Sequence, residues 1–123
     1  MQKSKYDAIP VFYCDVLTFS SQTAGQSNIE VYVHIAYNEL RFVKFEERFL
    51  AKYEIVLSVY TLSKELVFEK SWQTEVSVSD FAQTRSQKFY SLGHRVFELS
   101  PGEYTYRLQL RDIESGKNGE IQR

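Results

Sequence analysis

The sequence predicts an all-β chain, an immunoglobulin/fibronectin-III-like antiparallel β-sandwich of about seven strands. Three observations point there. Tyrosine and phenylalanine occur nine times each, and aromatic residues make up 15% of the chain, a bias toward the half-buried surface of a sheet. Two segments, Asn28 to Tyr37 and Tyr104 to Asp112, alternate apolar and polar residues, the period-two signature of a strand with one face covered. Turn signals recur at roughly eight to fifteen residues with almost no helical pattern between them.

Taken in order, Met1 to Pro10 reads as an N-terminal tail. Val11 to Ser20 is rich in β-formers but alternates poorly, and Pro10 suits the first position of an edge strand. Ser21 to Ser27 is a polar loop. In the next strand Ile29, Val31, Val33, Ile35 and Tyr37 share a face against Glu30, Tyr32, His34 and Ala36.

The stretch that follows fits two patterns. Phe42, Phe45, Phe49, Tyr53 and Val56 fall at helical spacings, whereas Phe49, Ala51, Tyr53, Ile55, Leu57 and Val59 alternate without a miss. β-Branched and aromatic content from Tyr53 onward favours the strand. Leu40 to Glu47 is then a connection, with room for a short strand at Phe42-Val43.

After a turn near Leu62-Ser63-Lys64, the residues Leu66, Phe68, Trp72, Val76 and Val78 share one phase, broken by Lys70 and Thr74. This reads as one strand bent near Ser71, or as two short ones. Ser79-Asp80 could cap a single helical turn, and Phe89 to Leu99 is a weaker strand with Phe97 and Leu99 inward.

The stretch Leu99-Ser100-Pro101-Gly102-Glu103-Tyr104 is the structural corner of the chain. Pro101 presets φ for the second position of a β-turn, and Gly102 is expected at the positive φ of a type II turn. Tyr104 sits where a tyrosine corner places a hydroxyl that bonds back to nearby backbone. Beyond Asp112, a turn signal at Ser115 to Gly119 leaves only Glu120 to Arg123, too few for a normal strand. Residues 113–123 are therefore expected to be a polar end carrying at most the start of a truncated final strand. The resulting open edge would invite weak self-association.

At 123 residues and 14.5 kDa the length fits one domain, spanning 1–123. A net charge of −1, without a basic block, offers no electrostatic footprint for nucleic acid. No apolar run approaches the length that crosses a bilayer, and the first residues lack the apolar core of a signal peptide. A single cysteine, Cys14, leaves no partner for an internal disulfide and leaves the redox compartment open.

The order of features resembles a family. Asn28-Ile29-Glu30-Val31-Tyr32-Val33 is followed by Tyr37-x-x-Leu40-x-Phe42, then by Tyr53-Glu54-Ile55-Val56-Leu57-Ser58-Val59. Leu99-x-Pro101-Gly102-x-Tyr104 and Asp112-x-Glu114-Ser115-Gly116 close the series. These elements are similar to the N-terminal β-sandwich of bacterial proteins named for a GWxTD motif. The resemblance implies a module of a larger, exported protein, with a periplasmic or other extracytoplasmic location. It also implies a partner protein, or the rest of the same polypeptide, against which the module works. The naming motif is absent, since Trp72 sits in Ser71-Trp72-Gln73-Thr74-Glu75.

Chemistry-bearing residues are sparse. His34 and His94 are the only histidines, and no H-x-x-x-H or C-x-x-C spacing accompanies them, so no metal site or cofactor is expected. Cys14 would need His34 beside it to act as a nucleophile; a small buried hydrophobe is the plainer reading. Glu46-Glu47, next to Arg48, reads as a solvated face. No G-x-S-x-G elbow or phosphate-binding glycine loop occurs, so no catalytic residue is assigned and the chain is read as non-catalytic. Tyr32, Val56 and Tyr60, outward on their strands, are the candidate binding patch, for a protein surface or, alternatively, for sugar rings.

Overall fold

A computed structural model describes residues 2–3, 12–20 and 25–122. In chain order the strands are β1 (Gln2–Lys3), β2 (Tyr13–Ser20), β3 (Ser27–Ala36), β4 (Val43–Phe45), β5 (Arg48–Thr61), β6 (Leu66–Val78), β7 (Tyr90–Leu99), β8 (Tyr104–Asp112) and β9 (Asn118–Gln122). A 3-10 turn covers Tyr37–Glu39, and one helical turn, α1, covers Phe81–Thr84. The chain is an all-β sandwich. Its first sheet has the order β1-β2-β3-β7, and its second contains β4-β5-β8-β9 with β6 on the free side of β5. All pairings are antiparallel.

The core forms because alternation on facing strands presents two apolar surfaces to each other. Val31, Val33 and Ile35 of β3 lie across from Ile55 and Leu57 of β5 and Leu108 and Leu110 of β8, all fully buried or nearly so. Each such side chain gains about 1.5–3 kcal/mol on leaving water. The long segment from Phe49 is strand throughout, because its β-branched and aromatic residues suit a sheet on both sides. Leu66–Val78 is likewise one strand. Its irregularity lies where the register shifts between Val59 and Tyr60, opposite Phe68 and Leu66, and not near Ser71. The short strand β4 falls at Val43–Phe45, one residue later than the sequence suggests.

The corner between β7 and β8 carries the chain from the first sheet to the second. Tyr104 donates its hydroxyl proton to the Ser100 carbonyl at 2.6 Å, the bond expected of a tyrosine corner. Gly102 differs from expectation: the glycines with positive φ among the described residues are Gly25 and Gly116. A β-carbon at Gly102 would lie 3.3 Å from the Tyr104 hydroxyl and 3.4 Å from its ring. A side chain there would crowd the tyrosine folded back over the corner, and Gly102 lacks the positive φ of a type II turn.

The C-terminal segment also departs from the sequence reading. Asn118–Gln122 is a formed strand, paired with Arg107 to Arg111 of β8, and Ile121 is fully buried beneath it. Five residues are enough because Leu108 and Leu110 already provide an apolar bed for Ile121. The preceding turn is fixed by Asp112, 1% exposed. Its carboxylate accepts from the Ser115 amide at 3.0 Å, the Ser115 hydroxyl at 2.5 Å and the Arg41 amide at 3.3 Å. Asp112 thus ties the β8-β9 turn to the connection after β3. At the other end of the sequence, Gln2–Lys3 pair with Tyr13 and Cys14, so part of the expected tail belongs to the sheet. The expected start of the first long strand at Val11 lies outside the described residues.

Candidate functional site

The three residues of the sequence-predicted patch do not meet. Tyr32 is outward on β3, in the first sheet, whereas Val56 and Tyr60 are outward on β5, in the second. Strand alternation puts them on opposite outer surfaces of the sandwich, with both sheets between them. Pro101, Gly102 and Tyr104 do come together, as the corner described above.

The outer surface of the second sheet mixes ion pairs with apolar side chains: Leu50, Val56 and Tyr60 of β5 are outward there, and β4 adds exposed Val43 and Phe45. Lys52 faces Glu75 at 3.9 Å, Arg111 faces Glu54 at 3.8 Å, and Arg107 faces Glu120 at 3.9 Å. Ser58 donates to Glu69 at 2.7 Å between them. Such exposed pairs contribute little stability, about 0–1 kcal/mol each, but they give the surface an even mixture of both signs.

The outer surface of the first sheet is different. Register places Tyr13, His34 and Leu92 side by side, then Asp15, Tyr32 and His94, then Leu17, Glu30 and Val96. His34 meets Tyr90 edge-on with ring centroids 4.0 Å apart, and Tyr13 lies 6.0 Å away on its other side. Tyr32 and His94 stack at 4.4 Å. His94 Nε2 is 3.0 Å from the Glu30 carboxylate, to which the Tyr32 hydroxyl also donates at 3.4 Å. Burial first, and the Glu30 charge second, push the Tyr32 phenol above its ordinary value. Aliphatic side chains rim this cluster with unusual exposure: Leu92 at 67%, Val96 at 47% and Leu17 at 44%. Register spaces them around the cluster: Glu30 lies between Leu17 and Val96, and His94 lies between Leu92 and Val96.

Sequence reasoning missed Tyr13, Leu17, Tyr90, Leu92 and Val96. The signal was present in β7. There Tyr90, Leu92 and Val96 occupy the outward phase while Ser91, Gly93 and Arg95 occupy the inward one. The inward positions are filled from other strands. Tyr53 of β5 reaches across to Ser91 with an oxygen–oxygen distance of 2.7 Å, and Arg95 lies over the Trp72 ring at 5.4 Å. Its apolar phase therefore faces out until Phe97, which turns inward against Phe68 and Trp72.

The remaining candidates separate. Cys14 is fully buried on the inward face of β2 opposite Val33, while His34 is outward on β3. The sheet lies between the sulfur and the imidazole, and they form no pair. The His34 Nε2 is buried without a hydrogen-bond partner. Among the described residues no group of three or more His, Cys, Asp or Glu side chains could hold a metal ion. Glu46 and Glu47 form the exposed β4-β5 turn, with Glu46 at φ 56°. A separate opening of about 450 Å³ lies between the sheets beside the corner, lined by Ile29, Leu62, Leu99, Pro101, Tyr104 and Tyr106 among others.

No protein-family model matches the sequence, and no curated protein matches it. Solved structures do. A Bacteroides fragilis chain assigned as a beta-galactosidase superposes with a TM-score of 0.55 at 15% identity, over 89% of this chain and 15% of that one. A glycosyl hydrolase family 2 member from Bacteroides cellulosilyticus gives 0.50 at 15% identity, over 89% and 14%. At this identity the likeness is one of fold. The chain spans about one seventh of the length of these neighbours.

Proposed function

We propose that this chain is a non-catalytic β-sandwich interaction module of a larger exported bacterial protein, working through the outer face of β2, β3 and β7. The observation that carries the reading is the apolar rim of Leu17, Leu92 and Val96 around a histidine–tyrosine cluster on that face. Support also comes from the neighbours, in which a sandwich of this shape is a minor part of a long chain. The resemblance to the N-terminal sandwich of GWxTD-motif proteins, and the extracytoplasmic location it implies, belong to the same proposal. The partner is a protein surface, in the same polypeptide or another. Self-association through a sheet edge is the weaker component. Edge strands β6 and β7 hold Lys70 and Arg95 at inward-phase positions, and inward charges on edges oppose edge-to-edge pairing.

The test is a double variant, Leu92→Glu with Val96→Glu, made in the isolated chain and in the intact protein. The melting temperature of the isolated chain is expected to stay within a few degrees, because both side chains are already exposed. In the intact protein the contact should be lost, seen as a separate, earlier unfolding of the sandwich. Identical behaviour of variant and parent in both contexts would refute the docking face.

A second reading is a carbohydrate-binding sandwich. Exposed Tyr13 and Tyr90 beside His34 favour it, as does the likeness to glycoside hydrolase chains. Against it, Tyr32 already stacks on His94, and the most exposed large hydrophobic side chain of this face is a leucine, Leu92. A glycan array that gives a signal abolished by Tyr90→Ala would establish it; a blank array would remove it.

A further inference from the structure

A second opening, of about 460 Å³, lies at the pole where the chain leaves β3. Arg41, Phe42, Phe81 and Arg85 line it, with the buried Leu40 and Thr84 also in its wall. Its frame is held on both sides. The Tyr37 amide donates to the Phe89 carbonyl at 2.9 Å and the Asn38 amide to the Ser86 carbonyl at 3.0 Å, lacing the 3-10 turn to the segment after α1. The Thr84 hydroxyl donates to the Phe81 carbonyl at 2.7 Å, and the Arg41 amide is fixed by Asp112. Two guanidiniums are therefore set at one cleft, and neither is matched. Among the described residues no carboxylate lies within ion-pair distance of Arg41 or Arg85, and neither guanidinium has a hydrogen-bond partner. The other described arginines all have partners: Arg48 donates to Ser77, Arg95 to the His94 carbonyl, and Arg107 and Arg111 face glutamates. The nearby carboxylates are occupied, Asp112 by the Arg41 amide and Ser115, Asp80 by the Ala82 amide, and Glu39 by another group.

We propose that this cleft receives an acidic segment of a partner protein, a glutamate or aspartate whose carboxylate is taken by Arg41 and Arg85 while an adjoining apolar side chain rests on Phe42 and Phe81. The planar fork of a guanidinium matches a carboxylate, and charge-assisted bonds of this kind are short and strong. Phe81, 56% exposed, offers the apolar contact beside them. A carboxylate fits better than a phosphate. The amides of Asn38, Leu40, Arg41 and Arg85 are already donated within the chain, so they supply none of the successive free amides that cradle a phosphate. A protein segment fits better than a small molecule. Small-ligand sites cover most of their ligand, whereas Arg41, Arg85 and Phe81 all stand exposed. A segment carried on a larger body adds contact outside the cleft. This site is distinct from the face of β2, β3 and β7 and does not depend on it.

The probe is a short blocked peptide in which glutamate alternates with phenylalanine, beside an analogue with glutamine at every glutamate. Each is titrated into the chain while methyl resonances are followed. The glutamate peptide is expected to shift Leu40 and Thr84, with affinity at least about tenfold above that of the glutamine analogue. Binding should weaken several-fold when salt rises from about 50 to about 300 mM. It should be lost in the Arg41→Gln, Arg85→Gln double variant, whose unchanged Ile55 and Leu108 methyls would show that it folds. The Arg41→Lys, Arg85→Lys variant should keep part of it, since the charge stays and the fork goes. Equal binding of the two peptides, unchanged binding by the glutamine double variant, or no shift with either peptide would overturn the proposal. Shifts centred on Leu92 would also overturn it, by moving the contact to the first sheet. Displacement of the peptide by an equal concentration of inorganic phosphate would overturn the choice of carboxylate. Concentration-dependent shifts of Leu40 and Thr84 without peptide, removed by Glu46→Gln with Glu47→Gln, would overturn the separate partner and put the acidic turn of a second copy in the cleft.

Discussion

The two outer surfaces of this sandwich are built by the same period-two alternation over one shared core, yet they differ in chemistry. On the second sheet the outward positions of β5, β6, β8 and β9 pair lysine and arginine with glutamate, while apolar exposure is concentrated at Val43 and Phe45 of β4. On the first sheet the outward positions of β2, β3 and β7 hold tyrosine, histidine, leucine and valine among carboxylates, and Lys3 of β1 pairs with outward Tyr13. Fold alone would be satisfied by polar residues at Leu17, Leu92 and Val96, which are exposed and add little to the core. The contact proposed for the first sheet would account for the difference.

The largest effect would come from removing what the two surfaces share. Leu57→Ala, at a fully buried position, should cost about 2–5 kcal/mol in urea unfolding and weaken both sheets together. Its outward neighbour Val56 is half-buried on the ion-paired surface, and Val56→Ala should cost under about 1 kcal/mol. Similar losses at the two positions would contradict the assigned facing of β5.

Next comes the pole where the sheets are tied together. Asp112→Ala orphans the donors of Ser115 and Arg41 and should cost about 1–3 kcal/mol, with Asp112→Asn recovering part. Hydrogen exchange should then rise in β9 before it rises in β3. Uniform exchange would mean that the turn does not hold β9.

The corner at the opposite pole should matter less. Tyr104→Phe removes one hydrogen bond, to Ser100, and should cost about 1 kcal/mol by thermal unfolding. No loss at all would mean that ring packing alone makes the corner.

Smallest in stability, and sharpest for the comparison, are single outward changes. Leu92→Glu and Lys52→Ala should each stay within about 0.5 kcal/mol of the parent. They should differ in hydrophobic-interaction chromatography, where only Leu92→Glu shortens retention. Equal retention would erase the distinction between the two surfaces.

Much of the fold could be read from residues alone. Ile29 to Ile35 and Tyr104 to Leu110 alternate because each has one buried side, and the tyrosine corner follows from Pro101-Gly102-x-Tyr104. Asp80 capping a single turn, with its carboxylate accepting from the Ala82 amide at 2.9 Å, was legible for the same local reason. What escaped depends on neighbours distant in sequence. Ile121 is buried by β8, so its short segment looks too polar to be a strand. Gly102 is explained by a ring two residues away, and not by its own φ. The candidate surface was half visible: Tyr32 lies on it, but Val56 and Tyr60 lie on the other sheet. Outwardness shows in alternation, whereas membership of a sheet does not. The inverted phase of β7 hid Leu92 and Val96, because inward Ser91, Gly93 and Arg95 make the strand read as weak.

The measurement that bears most directly on the central claim is thiol labelling at one position on each surface. Cys14 is fully buried, so a cysteine introduced as Leu92→Cys on the first sheet, or as Gln109→Cys on the second, reports its own accessibility. The account predicts fast labelling of both in the isolated chain. In the intact protein, labelling at position 92 should fall at least tenfold while position 109 is unchanged. Equal rates at position 92 in the two contexts, or protection at 109 instead, would contradict it.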